Sequence, residues 1–338
     1  MSLNAENCSL CGQTVHLITA SAPGYQCGKK YAIFECEGCL ASFASPLTAD
    51  DSLYSLIYDN IQHVPGYNRY FNYAHDVLKQ KNPLAYLNSQ EESYWAVAQH
   101  VTAKRSAGEE LRILEVGCGM GYFSYALHQA GFDVTGIDLS ETAVAWSREH
   151  YGPFYERTTL QTLHESGRKY DIIIMNQLIE HIADVHQFIA ESLALLTPQG
   201  ELLLTTPDKS AYPGAEWETE LPPVHLWWFG EQAMKYIARH HSCKITFTDF
   251  TNFYDSNTRV KTSGTPLVSR KAVFDEQGRL IVNQTIPSCS PWVHLLERVG
   301  LLDMFRRAKI KIQQNYRWQG PGGPICSCVL QPLQGTNE

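Results

Sequence analysis

Three glycines stand within five positions in the stretch ILEVGCGMGYFS, which covers residues 113–124. Gly117, Gly119 and Gly121 follow a short apolar run that predicts a β-strand, and the residues after them predict a helix. A glycine-rich turn between a strand and a helix lets the backbone approach a ligand closely. Because Glu115 stands just ahead of the glycines, the turn would repel a pyrophosphate and would favour a ligand that carries positive charge.

The spacing of the glycines and of a second carboxylate narrows the class of ligand. The loop has the order G-x-G-x-G, whereas dinucleotide sites use G-x-G-x-x-G, and the lysine and hydroxyl residue of a P-loop are absent from it. Asp138 lies 21 positions after Gly117, at the end of the next predicted strand, where a carboxylate can accept both hydroxyls of a ribose. S-adenosylmethionine has a ribose, a sulfonium and an α-ammonium but no phosphate, so we expect it as the ligand.

A second constellation consists of two cysteine pairs near the N-terminus. Cys8 and Cys11 form CSLC, and Cys36 and Cys39 form CEGC, with 24 residues between the pairs. Each C-x2-C turn can present two thiolates to one ion, and two such turns complete a tetrahedral S4 site. A segment of about 45 residues buries little core, so a metal would supply folding energy. We predict a structural zinc ion. The competing interpretations are four unrelated reduced cysteines, a redox dithiol in either pair, and Cys27 in place of one ligand.

Candidates for taking a proton from an acceptor follow two later predicted strands. Glu180 and His181 lie shortly after YDIIIMN, and His225 lies in ELPPVHLWWFGEQAM. A site for S-adenosylmethionine implies methyl transfer, an in-line displacement that needs a base only where the acceptor must first lose a proton. A neutral imidazole that titrates near working pH can accept that proton. We predict these three residues as catalytic, and we expect Trp227 and Trp228 to stack on an acceptor sugar or ring.

Alternating strands and helices must position these residues. The stretches LRILEV, FDVTGIDLS, PFYERTTL, YDIIIMN and ELLLTTP predict strands, with amphipathic helices between them that Ser140 and Asp184 are expected to cap. The alternation predicts an α/β fold with a parallel sheet that is covered on both faces. Ligands in such sheets bind beyond the carboxyl ends of the strands, so the glycine loop, Asp138 and Asn176 are expected on one rim.

Several stretches, in the same order, resemble class I S-adenosylmethionine-dependent methyltransferases. ILEVGCGMGYFSYAL with GIDLS looks like the first two motifs of that family, and YDIIIMNQLIEHIADVHQFIAESLALLTPQGELLLTTPD is similar to its next stretch. The cysteine pairs, followed by SFASP and LY…Y, resemble a bacterial subgroup with an N-terminal zinc ribbon, often associated with the modification of sugars or surface polysaccharides. The resemblance covers residues 8–58 and 111 to about 250.

This resemblance implies a role for each matched residue of the donor site. Gly117 and Gly119 would let the backbone approach the methionine part of the donor, which Glu115 would orient. Asp138 would bind the ribose, with Leu139 beside the adenine. The remaining donor-site residues are two further loop members and the two residues at the end of the fourth core strand: Cys118, Gly121, Asn176 and Gln177. We expect Cys118 to be a small filler in a crowded turn, and only Gln161 is a candidate for an adenine contact after the third strand.

The chain is predicted to divide into four regions. The resemblance implies a Rossmann-like, seven-stranded, mostly parallel sheet, with KITFTDF as the sixth strand and ICSCVLQP as an antiparallel seventh. The predicted regions are a zinc ribbon in residues 1–45, a helical, aromatic-rich cover in 46–110, the methyltransferase core in 111–250 and 321–334, and an insertion in 251–320. A helix is predicted from Ser290 within the insertion, which we expect to form a lid or a homodimer surface.

Composition and charge limit the partners and the location. Among 338 residues, 44% are hydrophobic and 18% are charged, which predicts a sizeable core. The net charge of −8 argues against a nucleic-acid backbone as the main partner. The apolar runs are too short to span a bilayer, and the first residues show no basic segment followed by an apolar one. We therefore expect a cytoplasmic protein without a membrane span.

The leading hypothesis is O- or C-methylation of a small molecule or glycan, such as a sugar, a sugar nucleotide or a precursor of a surface polysaccharide. A different acceptor would be an RNA terminus or a protein. A resembling group of enzymes that methylate RNA ends holds a metal with two glutamates and two histidines, but Gln177 stands at the first of those positions here. Two rival hypotheses are a non-catalytic module that senses S-adenosylmethionine and an NAD-dependent oxidoreductase, which the glycine spacing disfavours.

Overall fold

Two β-sheets organise the part of the chain that the structure describes, and helices surround the larger sheet. The structure is a computed structural model that describes residues 7–256 apart from Pro65, Glu109 and residues 212–220, together with residues 272–281 and 325–333. Among these residues, no helix is both long and apolar enough to cross a membrane.

The strands and helices alternate through the middle of the chain. The strands are β1 (Val15–Pro23), β2 (Lys30–Cys36), β3 (Ser42–Ser45), β4 (Arg112–Val116), β5 (Asp133–Asp138), β6 (Tyr155–Arg157), β7 (Tyr170–Asn176), β8 (Leu196–Pro207), β9 (Trp227–Trp228), β10 (Cys243–Phe247) and β11 (Ile325–Pro332). The α-helices are α1 (Asp51–Asp59), α2 (Asn68–Asp76), α3 (Pro83–Asn88), α4 (Glu92–Ser106), α5 (Tyr122–Gln129), α6 (Glu141–Tyr151), α7 (Leu160–Glu165), α8 (Val185–Ala194), α9 (Glu231–His240) and α10 (Thr251–Ser256). A short 3-10 turn, Ile179–His181, follows β7.

The larger sheet has seven strands in the order β10-β11-β8-β7-β4-β5-β6. The pairs from β8 through β6 are parallel, and β11 runs antiparallel to both β8 and β10. The predicted α/β fold with a Rossmann-like, mostly parallel seven-stranded sheet is therefore confirmed, and so is the antiparallel last strand. The order reverses between β4 and β7, and the rim beyond the carboxyl ends of these two strands is where ligands bind in such sheets.

Side chains of β7 show why both faces of this sheet are covered. Ile172 and Ile174 are fully buried in a core formed with helices α3 to α6, whereas Ile173 and Met175 are fully buried in a core formed with α7, α8 and α9. A continuous apolar strand of this kind is typical of a central parallel strand. The position of each strand residue is thus set by packing from two sides, which makes the rim above β7 a rigid platform.

Two predicted helix starts are confirmed by their caps. The Ser140 hydroxyl accepts a hydrogen bond from the backbone N–H of Ala143 at the start of α6. The Asp184 carboxylate accepts one from the backbone N–H of Gln187 at the start of α8. Each cap satisfies a backbone donor that the helix itself leaves without a partner.

The smaller sheet joins the N-terminal segment to a segment that comes after the fifth core strand. Its order is β1-β2-β3-β9, and all of its pairs are antiparallel. Between β3 and β9, Phe43 pairs with Trp227 and Ser42 pairs with Trp228. The expectation that these two tryptophans stack on an acceptor is wrong, because their exposed fractions are only 1% and 3%. Both rings belong to the buried core instead.

Only part of the predicted insertion falls within the described residues. In residues 272–281, Val273 and Phe274 are fully buried and pack with Tyr25. The backbone N–H of Val273 donates to the Tyr25 carbonyl at 2.8 Å, and that of Cys27 donates to the Phe274 carbonyl at 2.8 Å. This piece therefore packs on the N-terminal segment. The helix predicted from Ser290 lies outside the described residues.

Candidate active site

The glycine loop lies between the end of β4 and the start of α5. Gly117, Gly119 and Gly121 all have positive φ values, of 70°, 51° and 68°, which side chains rarely tolerate. A Cβ at Gly117 would lie 2.8 Å from a methyl carbon of Leu178, and a Cβ at Gly121 would lie 2.6 Å from the ring of Tyr155. Residues 117–121, the glycine cradle, are therefore packed so closely that a side chain at Gly117 or Gly121 would clash with its neighbours.

Asp138, at the end of β5, holds the cradle in place. One oxygen of its carboxylate accepts a hydrogen bond from the Gly119 N–H at 2.8 Å, and the other accepts one from the Ser140 N–H at 2.8 Å. Each oxygen keeps a second lone pair that can accept a hydrogen bond from a ligand hydroxyl. Burial raises the pKa of Asp138. Beside it, the apolar side chain of Leu139 is 63% exposed, so an apolar contact is open to a ligand next to the carboxylate.

Glu115 is a buried carboxyl beneath the loop. Its exposed fraction is 4%, and burial raises its pKa to about 7. The Ser124 hydroxyl on α5 donates a hydrogen bond to one of its oxygens, which limits the rise. A buried carboxyl that is poised near neutrality gains most from a neighbouring cation, because a positive charge favours its ionised form.

The end of β7 is fixed by β8. The Thr205 hydroxyl donates to the Asn176 side-chain oxygen at 2.6 Å, and the Gln177 N–H donates to the Thr205 carbonyl at 3.0 Å. Gln177 has a φ of 55°, so the chain turns sharply there. Cys118 is buried, and burial raises its thiol pKa well above the usual range, in keeping with a filler in the turn. Gln161, on α7, donates instead to Glu165 of the same helix at 3.4 Å.

The structure brings the three predicted catalytic residues together beside this rim. One ligand atom each of Glu180, His181 and His225 lies within 4.8 Å of the others. The two imidazole rings meet edge to face with centroids 4.9 Å apart, and Nε2 of His181 lies 4.0 Å from a carboxyl oxygen of Glu180. Within the described part of the chain, neither Glu180 oxygen nor Nδ1 of His225 has a hydrogen-bond partner of good geometry, although the Thr206 hydroxyl lies near Glu180. Buried polar atoms without partners often mark a place where a ligand binds.

Burial sets the charge state of this cluster. It raises the pKa of Glu180 to about 8 and lowers that of His181 to about 4, and it lowers the pKa of His225 well below the usual range, with a smaller contribution from His181. The expectation that a histidine here titrates near working pH is therefore wrong: both imidazoles are neutral at pH 7, and Glu180 is the group that titrates there. The carbonyl of Val224 lies 2.5 Å from Nδ1 of His181 and can only accept, so Nδ1 carries the proton and Nε2 keeps its lone pair.

Long-range backbone contacts place His225 opposite His181. The Leu226 N–H donates to the Glu180 carbonyl at 2.9 Å, and the Trp227 indole N–H donates to the Ile182 carbonyl at 3.0 Å. On its other side this segment is tied to β3, because the Ala44 N–H donates to the Leu226 carbonyl at 2.9 Å. The smaller sheet thus holds one of the predicted catalytic histidines.

Two tyrosines of α1 complete the site and were not predicted from the sequence. The Tyr58 hydroxyl would lie 3.1 Å from a Cβ placed on Gly119, so it closes the cradle from above. The Tyr54 hydroxyl donates to the Val224 carbonyl at 3.2 Å, and its ring meets that of His181 edge to face at 6.0 Å. Their spacing of four residues on one helix face was a local signal, but it did not show which surface that face covers.

The four N-terminal cysteines form one cluster. One sulfur from each lies within 4.8 Å of the others; the Cys8 and Cys39 sulfurs are 3.8 Å apart, and those of Cys11 and Cys36 are 3.2 Å apart. Sulfur atoms bound to one tetrahedral zinc at about 2.3 Å lie about 3.8 Å from each other. A hydrogen bond from Cys39 lowers the pKa of Cys8 to about 5, and Cys27 lies outside the cluster. The donor set and spacing therefore fit an S4 zinc site.

Comparison with known proteins finds partial matches to this chain. Residues 87–246 match the family model described as "Methyltransferase domain". A "Ubiquinone biosynthesis O-methyltransferase" of Bartonella tribocorum is 33% identical over 103 residues, which are 29% of this chain and 42% of that protein. A "Probable S-adenosylmethionine-dependent methyltransferase" of Mycolicibacterium smegmatis is 34% identical over 141 residues, which are 40% of this chain and 53% of that protein.

The match to these curated relatives is therefore partial, since the chain spans about half of their length. Among solved structures, the plantazolicin methyltransferase BpumL in complex with SAH superposes with a TM-score of 0.42 and 11% identity, over 84% of this chain and 98% of that chain.

Proposed function

We propose that this chain, which carries a methyltransferase domain in residues 87–246, is an enzyme that uses S-adenosylmethionine to methylate a small molecule. The observation that carries the proposal is the rim of the larger sheet. There, the glycine cradle between the buried Glu115 and the partly buried Asp138 lies beside the cluster of Glu180 and two neutral histidines. The first part suits a cationic nucleoside, and the second suits an acceptor that must lose a proton.

The cradle accounts for donor binding residue by residue. Gly117 and Gly119 let the backbone of the loop approach the methionine part of the donor, and a bound sulfonium or ammonium would favour the ionised form of Glu115. Asp138 accepts the ribose hydroxyls while its other lone pairs hold Gly119 and Ser140. The exposed side chain of Leu139 packs on the adenine. Asn176 and Gln177 flank the donor from the end of β7.

When bound, S-adenosylmethionine supplies an electrophilic methyl group. His181 accepts the proton of the acceptor at Nε2, since Nδ1 already donates to Val224. The imidazolium that forms is stabilised by the Glu180 carboxylate, whose nearest oxygen is 4.0 Å from Nε2. Because the pKa of Glu180 is about 8, the pair is most active once that carboxyl has lost its proton. The rings of His225 and Tyr54 meet that of His181 edge to face and shield it from solvent.

The acceptor class that we propose is a hydroxyl group of a small molecule, with sugars, sugar nucleotides and polysaccharide precursors first and a carbon acid as the second type. A base beside the donor supports an acceptor that holds its proton at neutral pH. The name of the Bartonella tribocorum relative supports O-methylation. The resemblance of the N-terminal segment to the zinc-ribbon subgroup supports a sugar.

We further propose that Cys8, Cys11, Cys36 and Cys39 hold a structural zinc ion. Three of these side chains are at most 2% exposed, and the Gly38 and Cys39 N–H groups donate to the Cys36 sulfur at 3.3 and 3.4 Å. Such donors stabilise a thiolate. The ion would fix the turn before β1 to the turn between β2 and β3, and β3 pairs with the segment that carries His225.

The test is transfer of a labelled methyl group from S-adenosylmethionine to metabolites of a cell extract, followed by mass spectrometry of the labelled products. We expect a labelled small molecule with the wild type and with His128→Ala, a control at the far end of α5, but not with His181→Ala. Calorimetry should show binding of S-adenosylmethionine and none of NAD. Binding of NAD would refute the assignment of the donor, and label in RNA or protein alone would refute that of the acceptor.

A further inference from the structure

Three histidines meet on the side of the molecule where α8 and α9 pack near the first cysteine turn. His186 lies in the first turn of α8, His240 is the last residue of α9, and His241 is the C-cap of α9. One ring nitrogen from each lies within 4.8 Å of the others. None of these residues belongs to the rim or to the cysteine cluster, so the proposed function leaves them unused.

The hydrogen bonds of His186 fix which of its nitrogens is available. Its Nε2 lies 2.6 Å from the carbonyl oxygen of Leu10, which can only accept, so Nε2 carries the proton. Its Nδ1 therefore keeps a lone pair, and it accepts a hydrogen bond from Nε2 of His241 at 3.1 Å. A histidine that donates one ring N–H to a backbone carbonyl and points the other nitrogen at an ion is the usual arrangement in metal sites.

The distances also suit one small ion. Two nitrogens bound to a tetrahedral zinc at about 2.0–2.1 Å lie about 3.3 Å apart, close to the 3.1 Å between His186 and His241. The ring centroids of His186 and His240 are 3.9 Å apart. Because His240 is exposed, its side chain can turn toward the same ion without disturbing the core. An ion would replace the proton that His241 now shares with His186.

The surroundings favour a cation and select its type. His240 and His241 end α9, where the free carbonyls of the helix give a negative partial charge. The cluster offers imidazole nitrogens only, which suit zinc, copper or nickel, whereas magnesium and calcium require oxygen ligands. Three protein ligands leave a fourth position open on the exposed side.

We propose that His186, His240 and His241 form a second metal site, which takes zinc or a similar divalent transition metal and is separate from the cysteine cluster. The site links α8 and α9 to the first cysteine turn, because Leu10 lies between Cys8 and Cys11 and accepts the hydrogen bond from His186. A metal ion bound at this site therefore stiffens the junction between the N-terminal segment and the larger sheet.

The experiment is a titration of the full chain with zinc by calorimetry, after saturation of the tighter site and removal of free ion by gel filtration. We expect one further equivalent per chain in the wild type. His240→Ala and His241→Ala should each weaken that second step at least about tenfold. His150→Ala, an exposed histidine on α6, is the matched control and should bind as the wild type does.

A second readout separates a site from weak surface binding. Zinc should raise the melting temperature of the metal-saturated wild type and of His150→Ala, but not that of His240→Ala, which removes only an exposed side chain. The proposal is overturned if the titration of the wild type shows no binding of a second zinc equivalent. It is equally overturned by unchanged affinity in both α9 variants, or by an equal loss in the His150 control.

Discussion

The two halves of the rim are built in opposite ways. On the donor side, Glu115, the glycine cradle and Asp138 lie within 24 consecutive residues, and the hydrogen bond from Gly119 to Asp138 stays inside that stretch. On the acceptor side, His181 is hydrogen-bonded to Val224, which lies more than 40 residues later in the chain. Its ring also contacts that of Tyr54, which lies more than 120 residues earlier. One half is local in sequence, and the other depends on packing between two sheets.

Because of this difference, we expect that donor binding and acceptor chemistry can each be lost without the other. Changes within the β4–β5 stretch should weaken donor binding and leave the acceptor chemistry in place. Changes in the N-terminal segment should disturb the acceptor side through β3 and β9, while the cradle keeps its own hydrogen bonds.

Loss of the proposed zinc should separate the halves most clearly. Structural zinc contributes about 10–16 kcal/mol in zinc-finger peptides, so Cys36→Ser or chelation should unfold the N-terminal sheet. We expect turnover to be lost while calorimetry still detects binding of S-adenosylmethionine. Cys27→Ser, outside the cluster, is the control and should keep one zinc by metal analysis. Full turnover in metal-free protein would contradict the link between the two sheets.

Removal of the proposed base should affect only the chemical step. His181→Ala should lower kcat by about 10²–10⁴, the usual contribution of general base catalysis, with donor affinity unchanged. In the wild type, kcat should rise with pH and level off above about 8, as Glu180 loses its proton, and Glu180→Gln should remove that rise. If His181→Ala turned over the true acceptor at the wild-type rate, His181 would not be the base, and catalysis would rest on the proximity of the two substrates.

Removal of the carboxylate that is proposed to bind the ribose should weaken the binding of S-adenosylmethionine and leave the chemical step unchanged. Asp138→Ala should weaken S-adenosylmethionine binding by about 1.5–3 kcal/mol, the range for hydrogen bonds to a charged group. At saturating donor, kcat should stay near that of the wild type. Asp133→Ala, at the exposed opposite end of β5, is the control. Equal affinity in both variants, measured by calorimetry, would remove Asp138 from the donor site.

The smallest expected effect is a pH dependence of donor binding. Glu115 has a pKa of about 7, so its ionised fraction, and with it the affinity for a cation, should rise about tenfold between pH 6 and pH 8. Calorimetry at several pH values should show this rise in the wild type and not in Glu115→Gln. A rise that persists in the variant would assign it to another group.

The same carboxyl affects stability in the opposite direction. Its pKa in the folded protein, about 7, exceeds its ordinary value of 4.5, so the folded state binds the proton more tightly than the unfolded state. The protonated Glu115 therefore stabilises the folded protein most below pH 4.5. This stabilisation is lost as the pH rises from 4.5 to about 7, so the free energy of unfolding decreases over that range. Added S-adenosylmethionine should oppose that fall, which denaturant unfolding at pH 5 and pH 8 can measure.

The sequence alone determined those features of this protein that depend on residues close to one another in the chain. The alternation of strands and helices predicted the larger sheet, and the caps at Ser140 and Asp184 marked two helix starts. The glycine order and the position of Asp138 pointed to one rim, because the carboxyl ends of neighbouring parallel strands meet there. The two cysteine pairs indicated a common cluster, since each C-x2-C turn presents both sulfurs to one side.

Only the tertiary structure decided how distant segments meet and how deeply they are buried. Trp227 and Trp228 were expected at an acceptor, but they pair with β3 and are buried, because a two-residue strand carries no local signal for its partner. The neutral state of His181 and the raised pKa of Glu180 follow from desolvation, which is a property of the surrounding packing. Sequence spacing fixes which groups can meet within one strand–loop–helix unit; the environment of each group is set by segments that only the folded chain brings to it.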